Sequence, residues 1–116
     1  MEVFILIKTS LDDDYNFTHC NLGVYTKEAK DALEKTWIEN SKTELLREVK
    51  TLYDSLEELK SFESMTNMFF ENNKRRYTDR LTSVNYVLDS NKDELYLEDY
   101  MSKNDYNWDS FELEEV

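Results

Sequence analysis

A nucleophile works only within reach of a base, and this chain of 116 residues holds one histidine, His19, and one cysteine, Cys20. They are adjacent in a segment that reads as a strand, where successive side chains point to opposite faces. The pair is therefore badly placed for nucleophilic chemistry. The reading of its parts is Cys20 as a small buried hydrophobe and His19 as an exposed strand residue. Two Asp-x-Asn-x-Asp runs could hold calcium: Asp89/Asn91/Asp93 and Asp105/Asn107/Asp109. A calcium loop of the helix-loop-helix type needs Gly at its sixth position and Glu at its twelfth. The first run has Glu94 and Tyr100 there, the second Ser110 and Val116. Both read as turn chemistry, with short polar side chains bonding local backbone. There is no phosphate-binding glycine loop, dinucleotide fingerprint or zinc spacing. Among 26 Asp and Glu some carboxylates lie together by chance, so pairing alone assigns no general acid or base. The expectation is a protein that is not an enzyme and that needs no metal or cofactor.

Charge is what remains. The formal net charge is -12, and it is uneven. Residues 1–40 carry 8 acids and 4 bases, residues 41–88 carry 8 and 8, and residues 89–116 carry 10 and 2. The last segment also holds Tyr96, Tyr100, Tyr106, Trp108 and Phe111, so it is not a solvated acidic tail. Ordered carboxylates can imitate a nucleic-acid backbone, whose partners gain affinity largely from its charge. Tyr and Trp beside them are favoured anchors of a contact. The candidate partner-binding residues are Asp93, Glu94, Glu98, Asp99, Asp105, Trp108, Asp109, Glu112, Glu114 and Glu115. The partner expected is a basic protein surface, not nucleic acid itself. Lys74, Arg75, Arg76 and Arg80 form one basic patch, read as cations favoured at a helix C-terminus.

These residues must be positioned by folded elements. One Gly and no Pro remove the usual turn markers, yet 40% hydrophobic and 14% aromatic content argue for a packed core rather than disorder. Val3 to Ile7 is an unbroken apolar run and predicts a strand buried on both faces. Phe17 to Tyr25 predicts a second strand, with Gly23 at a bulge or close approach. Thr26 reads as a helix N-cap, followed by Ala29, Ala32, Leu33, Thr36 and Trp37 on one face. Ser41 with Glu44 has the spacing of a capping box and predicts a new helix start. Leu45, Val49, Leu52, Leu56 and Leu59 then step by three and four, with Phe62, Met65 and Phe69 extending the stripe. That stripe either packs on the domain's own sheet or forms a dimer face. Asn72 to Asp79 reads as a helix end and loop. Leu81 to Leu88 alternates through Val84, Tyr86 and Leu88 and predicts a half-buried strand, with Leu95 and Leu97 on its return. Tyr96 to Lys103 fits a strand or a short helix equally. Phe111 to Val116 predicts a closing strand.

The opening strand, the Gly23-to-Leu33 stretch (Gly-Val-Tyr-Thr-Lys-Glu-Ala-Lys-Asp-Ala-Leu) and the closing Phe111-to-Glu114 strand resemble small β-β-α-β domains common in phage and bacterial genomes. That resemblance implies a topology and no activity, and Ser41 to Tyr106 stands in it as an insertion. In composition the chain is similar to acidic phage inhibitors of restriction and CRISPR systems.

The expected architecture is one α+β domain over residues 1–116. A small, mainly antiparallel sheet is packed by two helices, the second long (about 42–70), within a helical insertion around 41–80. Lone Cys20 excludes an internal disulfide. No run approaches the ~20 apolar residues of a membrane span, and no basic, signal-like leader is present, so a cytoplasmic protein is expected. The function expected is that of an interaction protein blocking a basic, nucleic-acid-binding host surface. The competing expectation is a homo-oligomer joined through Leu45 to Leu59.

Overall fold

In the computed structural model the chain is described at residues 1–11, 13–60 and 67–114. Its elements are strand β1 (Glu2–Leu11), strand β2 (Phe17–Tyr25), helix α1 (Lys27–Lys60), helix α2 (Asn67–Ser90), helix α3 (Asp93–Asn104) and strand β3 (Tyr106–Glu112). The fold is α+β, and its three strands form an antiparallel sheet in the order β2-β1-β3.

The apolar run of β1 takes the centre of this sheet. Its pairing with β2 slips between Leu6 and Ile7, where Gly23 lies opposite Leu6 and Asn21 opposite Ile7. Leu22 is the extra residue, which is the two-against-one count of a bulge. Gly23 sits beside it at φ 156°, and an added Cβ would meet the Tyr25 ring at 3.0 Å. Alternation gives the sheet two different faces. Phe4, Leu6, Tyr25, Tyr106 and Trp108 share the face toward α1, since Trp108 contacts the Phe4, Tyr25 and Trp37 rings. Val3, Ile5, Ile7, Val24, Asp109 and Phe111 share the opposite face.

Helix α1 begins as its sequence dictates: the Ala29 amide donates to Thr26 Oγ1 at 3.2 Å. Its 34 residues span about 50 Å at 1.5 Å each. The structure does not break at Ser41. A capping box needs free amides at a helix start, but Trp37, Ser41, Leu45, Leu52 and Leu59 all belong to one continuous buried stripe. Keeping that stripe on one side requires unbroken helix, so the long helix is the first, 27–60, rather than one at 42–70.

Three further expectations are corrected. Asn72 to Asp79 is helix interior, not a helix end and loop, and Leu81 to Leu88 is helix rather than strand. Leu95 and Leu97 lie in α3. There are thus three helices among the described residues, not two, and α2 carries the predicted insertion to residue 90. The physical reason is that Tyr77, Leu81, Val84 and Leu88 also step by three and four. In that register Val84 is buried against Leu45, Leu52 and Tyr96, with Tyr77, Leu81 and Leu88 packed around them. The closing strand begins at Tyr106, earlier than predicted, and ends at Glu112. Cys20 is exposed rather than buried, because β2 is an edge strand whose residues Phe17 to Leu22 all stand exposed. His19, exposed as expected, approaches Thr9 Oγ1 at 3.2 Å. Asp12, Phe62, Met65, Glu115 and Val116 lie outside the described residues, and described Phe69 is exposed.

The molecule measures 73 × 39 × 15 Å. One region, called the head here, joins the sheet, the first half of α1 and α3. The other, called the arm, pairs the second half of α1 with α2. Among the described residues no helix is long and apolar enough to cross a membrane.

Candidate partner-binding surface

The head is built on Trp37. Its ring lies 5.7 Å from Tyr100, 5.2 Å from Tyr106 and 5.7 Å from Trp108, at interplanar angles of 21° to 32°. Trp108 in turn meets Tyr25 edge-on at 5.5 Å and Phe4 at 6.5 Å. Helix α1 thus supplies one ring, α3 one and the sheet four. Such pairs add to the area that each large ring already buries.

Several bases of the head are drawn into this layer or into ion pairs beside it. Lys30 Nζ sits 5.1 Å from the Phe4 ring centre and 5.4 Å from Trp108, and bridges Glu34 at 3.0 Å. Lys8 lies over Tyr106, and Lys103 bridges Asp99 at 2.9 Å. Lys42, where the arm begins, covers Tyr96 and pairs with Glu39 and Asp93. A cation over a ring face gains from the ring quadrupole.

The predicted acids divide by element. Asp93 and Glu94 open α3, where the positive end of the helix dipole favours them. Glu98 follows Glu94 by one turn, about 6 Å along the axis. Asp105 closes α3 in the left-handed conformation, φ 56°, which Asp tolerates through local hydrogen bonding. Its carbonyl accepts from the Thr9 amide at 3.0 Å, tying α3 to β1. Glu94, Glu98 and Asp105 converge on one shallow groove of about 580 Å³, walled by Leu97, Met101 and Tyr106. No Lys or Arg pairs with these three carboxylates among the described residues.

The other candidates are elsewhere. Asp99 turns inward, paired with Lys103. Asp109 is on the opposite sheet face and caps the Ser110 amide at 2.9 Å. Glu112 binds the N-terminal ammonium at 3.2 Å, and exposed Glu114 follows the end of β3. Trp108 is half-buried in the ring layer, so it supports the surface rather than standing on it. The structure therefore brings three of the ten together.

The stripe Leu45, Val49, Leu52, Leu56 and Leu59 is occupied by the chain itself. Leu45 and Leu52 form one cluster with Val84 and Tyr96, Val49 packs against it, and Leu59 is buried. A seam with a second copy would require pulling α2 and α3 away. The stripe packs on helices rather than on the sheet.

Sequence reasoning missed one cluster that closes head onto arm. Glu48 of α1 accepts both Nε and Nη2 of Arg80 of α2, the latter at 2.9 Å, and lies 3.6 Å from Lys103 of α3. The Arg80 guanidinium holds the Glu48 carboxyl below its ordinary range, against the opposing effect of burial. Glu48 in turn raises Arg80. These residues are 32 and 55 positions apart, so no local pattern announces them. Arg80, assigned by sequence to a basic patch at a helix end, is mid-helix and paired. Lys74, Arg75 and Arg76 are exposed, with Arg75 near Asp79 at 3.9 Å.

Among the described residues no three His, Cys, Asp or Glu are grouped to hold a metal ion. No protein-family model, curated protein or solved structure matches the chain.

Proposed function

We propose that this is a non-enzymatic interaction protein whose acidic head occupies a basic, nucleic-acid-binding surface of another protein and blocks it. The observation that carries this reading is the placement of charge. Residues 41–88 are neutral, so the net charge of -12 is carried by residues 1–40 and 89–116, which supply most of the head. Several of the head's lysines are spent on rings and ion pairs, while Glu94, Glu98 and Asp105, around one groove, pair with no Lys or Arg among the described residues. Two carboxylates one helical turn apart are separated along the axis by about 6 Å, close to the rise of two phosphates on one strand of a duplex. The apolar groove walls add contact area between the charges. A phage-encoded inhibitor of a host defence nuclease is the kind of protein this describes, acting in the cytoplasm.

The test is affinity capture from a bacterial lysate, followed by competition. A captured protein should be retained at low salt, released at high salt, and displaced from its own nucleic acid by this chain. Glu94→Lys and Glu98→Lys, combined with Asp105→Asn, which keeps a residue suited to the left-handed position, should abolish retention and displacement while leaving the fold intact by circular dichroism. A captured protein that still binds nucleic acid normally, or that ignores the triple variant, would defeat the reading.

A further inference from the structure

One face of the sheet is left largely open by the described chain, with only Val3 at one end of it buried, at 4% exposure. Strand β1 is apolar on both sides, the pattern of a strand buried on both faces. Only its Phe4 and Leu6 side receives the ring layer and α1. On the other side Ile5 and Ile7 are half-buried in the centre, flanked by Val24 at 59% exposure and Phe111 at 43%. The Met1 carbonyl accepts from the Leu113 amide, which continues the ladder and its alternation to that end. By the same alternation Leu11, paired with Phe17, extends the face at the other end. Seven of the thirteen exposed large apolar side chains among the described residues lie here: Met1, Leu11, Phe17, Leu22, Val24, Phe111 and Leu113. In a chain with 34% charged residues, this face carries no Lys, Arg or Glu, and its one carboxylate, Asp109, sits on an edge strand.

We infer that this open face binds the same face of a second copy, making a two-fold dimer of stacked sheets. Charge selects the occupant. Two molecules of net charge -12 repel wherever their carboxylates meet, and this face is where they can touch almost without them. A basic partner would gain nothing from it. Area sets the strength. The ten residues of β1 span about 33 Å and three strands about 14 Å, a footprint of about 460 Å² per copy. Two such faces bury on the order of 1,000 Å², above most lattice contacts and below a standard stable interface of about 1,600 Å². The dimer is therefore weak and concentration-dependent, and its geometry is isologous. The groove at Glu94 and Glu98 is lined chiefly by α3, with Asn107 its one residue from the open face, so the variants below test dimerisation apart from the blocking function.

Sedimentation equilibrium of the purified chain tests this. The mass should rise from 14.0 kDa toward twice that value with concentration. Added salt screens repulsion between like-charged copies, so association should strengthen, by roughly fivefold between low and about 0.3 M salt. Val24→Thr with Phe111→Thr keeps residues suited to strands and should weaken association at least tenfold at unchanged melting temperature. A monomer at every concentration and salt would overturn the inference. So would a dimer that the double variant leaves intact, or one that dissociates as salt rises.

Discussion

Head and arm share a helix but are held together by different chemistry. In the head, six aromatic rings from α1, α3 and the sheet meet around Trp37, and lysines cover their faces. In the arm, Leu45 and Leu52 of α1 meet Val84 of α2, with Val49, Leu81 and Val87 around them. Residues 1–40 and 89–116, which supply most of the head, carry the net charge, and residues 41–88, which supply most of the arm, are neutral. A leucine seam between two helices needs only a stripe at helical spacing and leaves the outer faces free for balanced charge. A head made of three strands and short helical contacts has less area to bury per residue. Rings supply that area, and their electron-rich faces tolerate the lysines, leaving carboxylates on the outside.

The largest effects come from cutting each centre. Trp37→Ala removes the ring that joins α1, α3 and β3, and should cost about 3–5 kcal/mol in urea unfolding. Leu45→Ala, at a fully buried arm position, should cost about 2–5 kcal/mol. Because α1 runs through both regions, the wild type should unfold in one step. Tryptophan fluorescence reports the head, where both Trp residues lie, and circular dichroism at the helix band reports mainly the arm. The two midpoints should coincide, and separated midpoints would show that the regions are independent units.

A smaller effect probes the joint. Glu48, Arg80 and Lys103 clamp three helices together, and Glu48 titrates below its ordinary value of 4.5 because Arg80 bonds its charged form. A carboxyl depressed on folding stabilises the fold above its unfolded pKa, and that contribution fades as pH falls through the folded value. Stability should therefore drop below about pH 4.5. Glu48→Gln should be less stable by roughly 1 kcal/mol at pH 7, the scale of a partly exposed ion pair. It should also lose less than the wild type on acidification. Parallel pH profiles for the two would remove Glu48 from the joint.

The sequence exposed the two regions unequally. Strand β2 has the predicted bounds, Thr26 caps α1, and the Leu45-to-Leu59 stripe is core, because each rests on a local pattern. Val84, Tyr86 and Leu88 fit a period of two as well as Tyr77, Leu81, Val84 and Leu88 fit three and four. Without Gly or Pro to mark an end, nothing local chose between them; burial against Leu45 and Tyr96 did. The candidate surface was legible as an acidic, aromatic segment. Which acids converge was not, since Glu94, Glu98 and Asp105 meet only because α3 ends in a left-handed residue bonded to β1.

Ser41 stands where head passes into arm, and it sharpens the contrast at least cost. Its hydroxyl is fully buried and has no hydrogen-bond partner in the structure. A polar group left unsatisfied loses its hydration without recompense, on the order of 1–3 kcal/mol. Serine is also a poorer helix former than alanine by a few tenths of a kcal/mol. Ser41→Ala removes both penalties and leaves only a small void, so it should raise stability by roughly 1 kcal/mol, read as a higher melting temperature. A gain would mark Ser41 as a small residue fitted between two packing regimes, its size retained and its hydroxyl a cost. A loss would mean instead that the hydroxyl is bonded in solution and that the joint is held by a polar contact as well as by the Glu48 clamp.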